Sequence, residues 1–211
     1  GLKDDKIAVS TLGVPNNVFI STNNGNSFSQ VTGVNFTPKD FHFLTTDKVL
    51  SNASASGLYF TNNIDAGGWQ QIAFSGKQVS DVYIHGDSIL AAINDGSGNG
   101  QVQLSTDEGQ SWTSMGGVLV NQKLNELTVE TLNGRPYVTT NEGINYFDGT
   151  NWVLHHQELR TDPVVVSQDH IVVFSGLRYR GIKTVAPGTL DVTSYVEGLK
   201  LSTDLMELSD N

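Results

Sequence analysis

Five segments, each a turn closed by an aromatic residue, recur along this chain at nearly constant spacing, and that period restricts the fold more than any other feature. "STNNGNSF" (Ser21 to Phe28) and "STDEGQSW" (Ser105 to Trp112) match position for position, with Asn23 standing where the later copy has Asp107. "TNNIDAGGW" (Thr61 to Trp69) is a looser copy with one residue inserted. "YFDGTNW" (Tyr146 to Trp152) keeps the Asp148-Gly149 turn, and "VAPGTLDVTSY" keeps only a Gly turn and a terminal aromatic. The closing aromatics Phe28, Trp69, Trp112, Trp152 and Tyr195 stand 41, 43, 40 and 43 residues apart. A unit of about 42 residues, made of short apolar runs between Gly turns, has the length of one four-stranded antiparallel propeller blade.

A second series runs in step with the first. "KDFHFLTTDK", "SDVYIHGDS", "NELTVETLNGR" and "DPVVVSQDH" each open at an acid, run apolar and end in an Asp or Asn-Gly turn. The opening acids are Asp40, Asp81, Glu126 and Asp162. The turns hold Asp47, Asp87, Asn133-Gly134 and Asp169, residue types that accept positive φ and bond nearby amides. Each segment reads as the innermost strand of a blade, apolar on both faces because neighbouring blades cover it. "STDLMELSDN" is a further copy with Asp204 as its acid, whereas "KDDKIAV" begins at such a turn. The first unit is therefore expected to lack an inner strand and to receive one from the C-terminal segment, which would close the ring and remove an exposed edge. The expected fold is all-β: a five-bladed β-propeller of four-stranded antiparallel blades. It forms a single domain over 1–211, with blades at roughly 1–34 plus 200–211, 35–75, 76–118, 119–157 and 158–199.

The two matching copies resemble the Asp-box, or bacterial neuraminidase repeat, found in sialidases and in many non-enzymatic propellers. "GINYFDGTNW" is also similar to the propeller repeats of two-component sensor proteins. The residues explain the motif. Ser105 and Asp107 can accept bonds from amides inside the hairpin between third and fourth strands, Gly109 permits the positive φ that closes it, and Trp112 then packs between sheets. Ser21, Asn23, Gly25 and Phe28 take the same parts, as do Trp69, Asp148 and Trp152 in the looser copies. These are expected to be structural, with calcium binding the minor alternative and no cofactor required.

Composition bears mainly on exclusions. The formal charge is -10, from 12 Lys and Arg against 22 Asp and Glu, which argues against a nucleic-acid partner. There is no cysteine, so disulfides and thiolate chemistry are absent. No apolar run approaches the roughly 20 residues of a membrane helix. "GLKDDKIAVS" lacks the regions of a signal peptide. Two sequons, at Asn35 and Asn52, would matter only in a eukaryotic secretory pathway. The sialidase resemblance implies three substrate-gripping arginines and a Tyr/Glu nucleophilic pair. The four arginines present, Arg135, Arg160, Arg178 and Arg180, include none in an Arg-Ile-Pro context, so sialidase activity is not carried over. There is no Gly-x-Ser-x-Gly elbow and no phosphate-loop pattern. The histidines, His42, His85, His155, His156 and His170, fall at unmatched positions within their units.

Two sets of residues remain as candidates for ligand or cation binding. Asp40, Asp81, Glu126, Asp162 and Asp204 would gather near one mouth of the central channel, where like charges raise each other's pKa and attract cations. Their plainer role is to bond an adjacent blade's amides. On the same face, "GLRYRG" would present Arg178, Tyr179 and Arg180 from a loop at 176–181, suited to gripping a carboxylate or stacking on a sugar. The expectation is a monomeric, non-catalytic, exported or cell-surface scaffold for a glycan or protein. The alternative is a small carbohydrate-active hydrolase using channel-mouth carboxylates.

Overall fold

A computed structural model describes residues 1–11, 17–53, 56–129, 134–157, 162–167, 170–175, 178–186 and 189–195, with side chains described as far as His155. Its strands form five four-stranded antiparallel sheets, each in simple chain order. The first contains β1 (Leu2–Lys3), β2 (Lys6–Ser10), β3 (Val18–Ser21) and β4 (Ser29–Val31). The second contains β5 (Pro38–Phe43), β6 (Val49–Ala53), β7 (Gly57–Thr61) and β8 (Gln70–Ala73). The third contains β9 (Gln78–His85), β10 (Ser88–Asn94), β11 (Gly100–Ser105) and β12 (Thr113–Ser114). The fourth contains β13 (Leu124–Val129), β14 (Pro136–Thr140), β15 (Gly143–Phe147) and β16 (Trp152–Gln157). The fifth contains β17 (Asp162–Ser167), β18 (His170–Ser175), β19 (Arg178–Ala186) and β20 (Thr189–Tyr195). First strands of successive sheets approach one another, so they form the inner wall.

Burial departs from the sequence expectation in an informative way. In the second, third and fourth sheets the strand buried on both faces is the second one: β6 (VLSNA) is buried at every position, as is nearly all of β10 (SILAAIN) and of β14 (PYVTT). The innermost strands are only partly covered, as in β5 and β13. A second strand has a hydrogen-bonded strand on either side and a blade against each face, whereas an innermost strand turns one edge to the channel. The turn chemistry differs too. Positive φ falls on Gly86 (57°) and Gly134 (62°), and in the first hairpin on Asp4 (52°), rather than on Asp47 or Asp87. The first sheet is not without an inner strand. β1 is short, pairing Leu2 with Ile7 and Lys3 with Lys6, and Gly1 exchanges two backbone hydrogen bonds of 2.9 Å with Ala8. The segment 196–211, with Asp204 and the expected closing strand, lies outside the described residues.

A bulge near the start of β5, β9, β13 and β17 breaks the expected equivalence of the acids. The register slips between Pro38 and Asp40, between Ala92 and Ile93 opposite β9, between Leu124 and Leu127, and between Asp162 and Val164. Asp40 and Asp81 follow their bulges, Glu126 lies within one, and Asp162 precedes one. Because an extra residue re-aims its neighbours, acids alike in sequence take different positions on the strand.

Three apolar clusters lie between adjacent sheets. Val18, Val31 and Ile64 belong to the first, Leu50, Leu58 and Ile89 to the second, and Val102, Leu124 and Val138 to the third. Polar ties run beside them. Asn94 is buried and joins the third sheet to the fourth, its Nδ2 donating to the Leu124 carbonyl at 2.8 Å and its Oδ1 accepting from the Leu124 N–H at 2.7 Å. Asn52, fully buried, donates to the Val79 and Ser80 carbonyls at 3.3 and 3.4 Å, which closes that sequon to a glycosyl enzyme in the folded protein. Lys6 reaches from β2 to Asp47 and Asp65 of the second sheet, both at 2.7 Å. Lys48, its counterpart just before β6, reaches Glu108 of the third at 2.5 Å.

Replacing Asn94 with Ala leaves a buried N–H and a buried carbonyl of Leu124 without partners. Denaturant unfolding of Asn94→Ala is expected to show a loss of about 2–4 kcal/mol, while Gln101→Ala on the surface should stay within about 0.5 kcal/mol.

Candidate functional site

The repeated turns consume their own polar groups. Ser105 Oγ accepts from the Gly109 N–H at 2.9 Å and donates to Asp107 Oδ1 at 2.7 Å. Asp107 accepts in addition from the Ser111 N–H at 2.9 Å and from its hydroxyl at 2.5 Å. Glu108 and Gly109 are both left-handed, with φ of 58° and 84°, so the turn needs two such residues in sequence. The first copy repeats this geometry: Gly25 N–H to Ser21 Oγ at 2.8 Å, and Ser27 N–H to Asn23 Oδ1 at 2.9 Å. Asp148 in the fourth sheet accepts from the amides of Thr150 and Asn151 at 2.8 and 2.7 Å. Bonds from the Ser111 side chain, then its N–H, then Ser105 hold the Asp107 carboxyl down to about 2.

In the second, third and fourth sheets the turn delivers a Trp towards the preceding sheet. Trp112 packs edge-on to Phe74 with ring centroids 5.0 Å apart, its Nε1 donating to the Gly109 carbonyl at 3.0 Å. Trp152 donates to the Met115 carbonyl at 2.7 Å. Trp69 packs against Phe36 and Phe41, but its buried Nε1 has no partner. In that copy Ile64, which bonds the Asp47 carbonyl as Asn24 bonds that of Asp5, is fully buried, and the Gly67 carbonyl is taken by the Thr61 hydroxyl. Phe28 is 44% exposed.

The acids at the inner strands do converge in part. Asp40, Asp81 and Glu126 line one cavity of about 720 Å³, together with Lys39, His42 and the β2 residues Ala8 to Ser10. Asp81 ties two sheets: its Oδ2 accepts from the Leu127 N–H at 2.7 Å and its Oδ1 from the Val82 N–H at 2.8 Å. Burial pushes its carboxyl up to about 6. The two amides oppose that shift and the Glu126 charge adds to it. Asp40 lies 3.4 Å from the Lys39 ammonium, which itself donates to the Ser80 carbonyl at 2.6 Å. Burial holds His42 down to about 4, so its ring is neutral at physiological pH. Among the described residues, no three His, Asp or Glu side chains come together in a way that could hold a metal ion.

The remaining candidates fare differently. Arg178, Tyr179 and Arg180 are not loop residues: they open β19, in register with Ser175, Phe174 and Val173. Their side chains, and that of Asp162, lie outside the described set, as does Asp204 entirely. Sequence reasoning missed Lys6, Lys48 and Glu108. A signal was present, since "DKIAV" and "DKVLS" repeat a lysine at the head of the second strand.

No protein-family model matches the chain, and no curated protein matches it. Solved structures do resemble it. YCF48 bound to a D1 peptide aligns with a TM-score of 0.62 at 14% identity, over 90% of this chain and 65% of that one. YCF48 from Cyanidioschyzon merolae aligns at 0.60 and 11% identity, over 92% and 72%. The extracellular domain of BT4673 from B. thetaiotaomicron aligns at 0.62 and 12%, over 82% of this chain and 25% of that one. The chain thus spans less than two thirds of the first of these. At such identities the likeness establishes the β-propeller fold alone. Among the described residues, no helix is long and apolar enough to cross a membrane.

Two titrations test this geometry. Asp107 has a depressed native pKa, so its stabilisation is present above about pH 4 and is lost as pH falls towards 2; Asp107→Asn should flatten acid unfolding in that window. Asp81 has a raised one, so the native state holds a proton that the unfolded chain has released, and its contribution declines as pH rises from about 4 to 6. Carboxyl ¹³C shifts should give Asp81 a midpoint near 6, moved downward by Glu126→Gln; a midpoint near 4 in both proteins would contradict the burial described.

Proposed function

We propose that the chain is a non-catalytic binding scaffold that takes a protein or glycan partner on the face where the inner-strand acids gather. The observation that carries this reading is a contrast between polar groups. Those of the repeated turns are satisfied within each turn, whereas Asp40, Asp81 and Glu126 border a cavity of about 720 Å³. A propeller of similar fold, YCF48, has been captured with a peptide, which supports a protein partner for this chain as well. The five sheets read as five blades, with the C-terminal segment closing the ring beside the short β1 of the first, and the molecule as an exported or cell-surface monomer. The extracellular setting of the BT4673 domain supports that location.

A hydrolase is the second reading, favoured by one observation: Asp81, held near pH 6 beside Glu126, has the protonation behaviour of a general acid. Against it, both Asp81 oxygens are engaged by backbone amides of two sheets, a role that requires no substrate. The two readings separate on glycan and peptide arrays followed by incubation of each ligand with the protein. The scaffold reading expects retained ligand and no reducing-sugar release. Turnover that disappears in Asp81→Ala and Asp162→Ala, with melting temperature unchanged, would establish the hydrolase instead.

A further inference from the structure

We propose that a cleft between the second and third sheets, at the end of the strands that carries the repeated turns, binds a neutral sugar ring. The ring's hydroxyls meet the side-chain amides of Asn62 and Gln110, and its C–H face lies against Phe60 and Ile72. The site is separate from the inner-strand acids and independent of what docks among them.

The cleft has a volume of about 540 Å³, within the range of small-molecule sites, roughly 300–1,000 Å³. One wall is formed by Phe60 of β7 and Ile72 of β8, both half-buried, with Lys48 and Asn62 beside them. The other is the turn from Glu108 to Gln110. Gly109 keeps Ile72 uncovered, since a Cβ there would stand 3.1 Å from Ile72 Cδ1.

The interface between the first and second sheets provides a comparison within the same molecule. There Ile64 takes the place that Asn24 has in the first turn and Glu108 in the third, and it is fully buried in the apolar cluster. Lys6, the counterpart of Lys48, is buried as well and held by two carboxylates. Between the second and third sheets that plug is replaced by Glu108, which is partly exposed, as is Lys48. The opening therefore belongs to this one interface and is not a property of the repeat.

The lining selects by charge and by hydrogen bonding. Lys48 and Glu108 bond each other at 2.5 Å, so the rim offers no unpaired charge to an ion. Asn62 and Gln110 are exposed, and unlike the Ser and Asp side chains of the matching turns, neither amide has a partner among the described residues. Each amide both donates and accepts, as a hydroxyl does, so a ring with several adjacent hydroxyls can use the two amides together. The same ring carries a face of C–H groups, which gains dispersion contact with Phe60 and Ile72. A wholly apolar ligand would strip water from both amides without replacing it.

The test titrates the full chain with methyl α-glucoside, methyl α-mannoside and methyl β-galactoside, each beside its amino-sugar and uronate counterparts, by saturation-transfer and amide NMR. At least one neutral glycoside is expected to bind saturably and to shift the amides of Gly109 and Gln110, with its charged counterparts threefold weaker or more. Asn62→Ala and Gln110→Ala, both at exposed positions, should each weaken binding at least threefold with the melting temperature unchanged. Absence of saturable binding by all three glycosides would overturn the inference, as would charged counterparts that bind equally well. Binding that survives both amide variants but is lost in Asp81→Asn would overturn this site, and would instead support the reading of the inner-strand face as the docking surface.

Discussion

One hydroxyl, that of Ser105, sets the geometry on which the blades depend. By accepting from the Gly109 amide and donating to Asp107, it fixes a turn that holds two consecutive left-handed residues. Glu108 in that conformation is unfavourable on its own, and the network of short bonds around it supplies the compensation. With the turn fixed, Trp112 has one direction to go, into the sheet before its own. The second, third and fourth sheets are thus keyed to their predecessors by a Trp whose placement is decided locally, a few residues away.

This division explains what the sequence revealed. Local chemistry repeats visibly, so the period, the box residues and the antiparallel hairpins could all be read from quoted segments. The assignment of Arg178 to Arg180 to a loop failed because the strand continues through a Gly-flanked stretch with no apolar signal. The acids were legible as a group but not as individuals. A bulge is a one-residue slip in pairing, and nothing in "KDFHF" or "DPVVV" announces on which side of the acid it falls. His42 was equally opaque. Its neutral ring depends on burial by elements packed around β5, which nothing nearby in the sequence encodes.

The inner wall is where local satisfaction gives way. Asp81 bonds amides of two sheets and still has a carboxyl held well above its ordinary range, because burial outweighs the amide bonds. A carboxylate placed there for cohesion is at the same time a source of negative potential in a confined space. Structural and recognition roles therefore need not compete for the residue: one uses a lone pair on each oxygen, the other uses the charge.

The lysine ties have a consequence for how such a molecule could arise. Lys6 meets Asp65 and Lys48 meets Glu108, so the second unit carries both a donor at the head of its second strand and an acceptor in its turn. Duplicating one unit in the gene copies both halves of the connector at once. The new module arrives already able to join its neighbours on either side, and drift can later erase the pair, as Ser88 in place of the lysine illustrates in the third sheet.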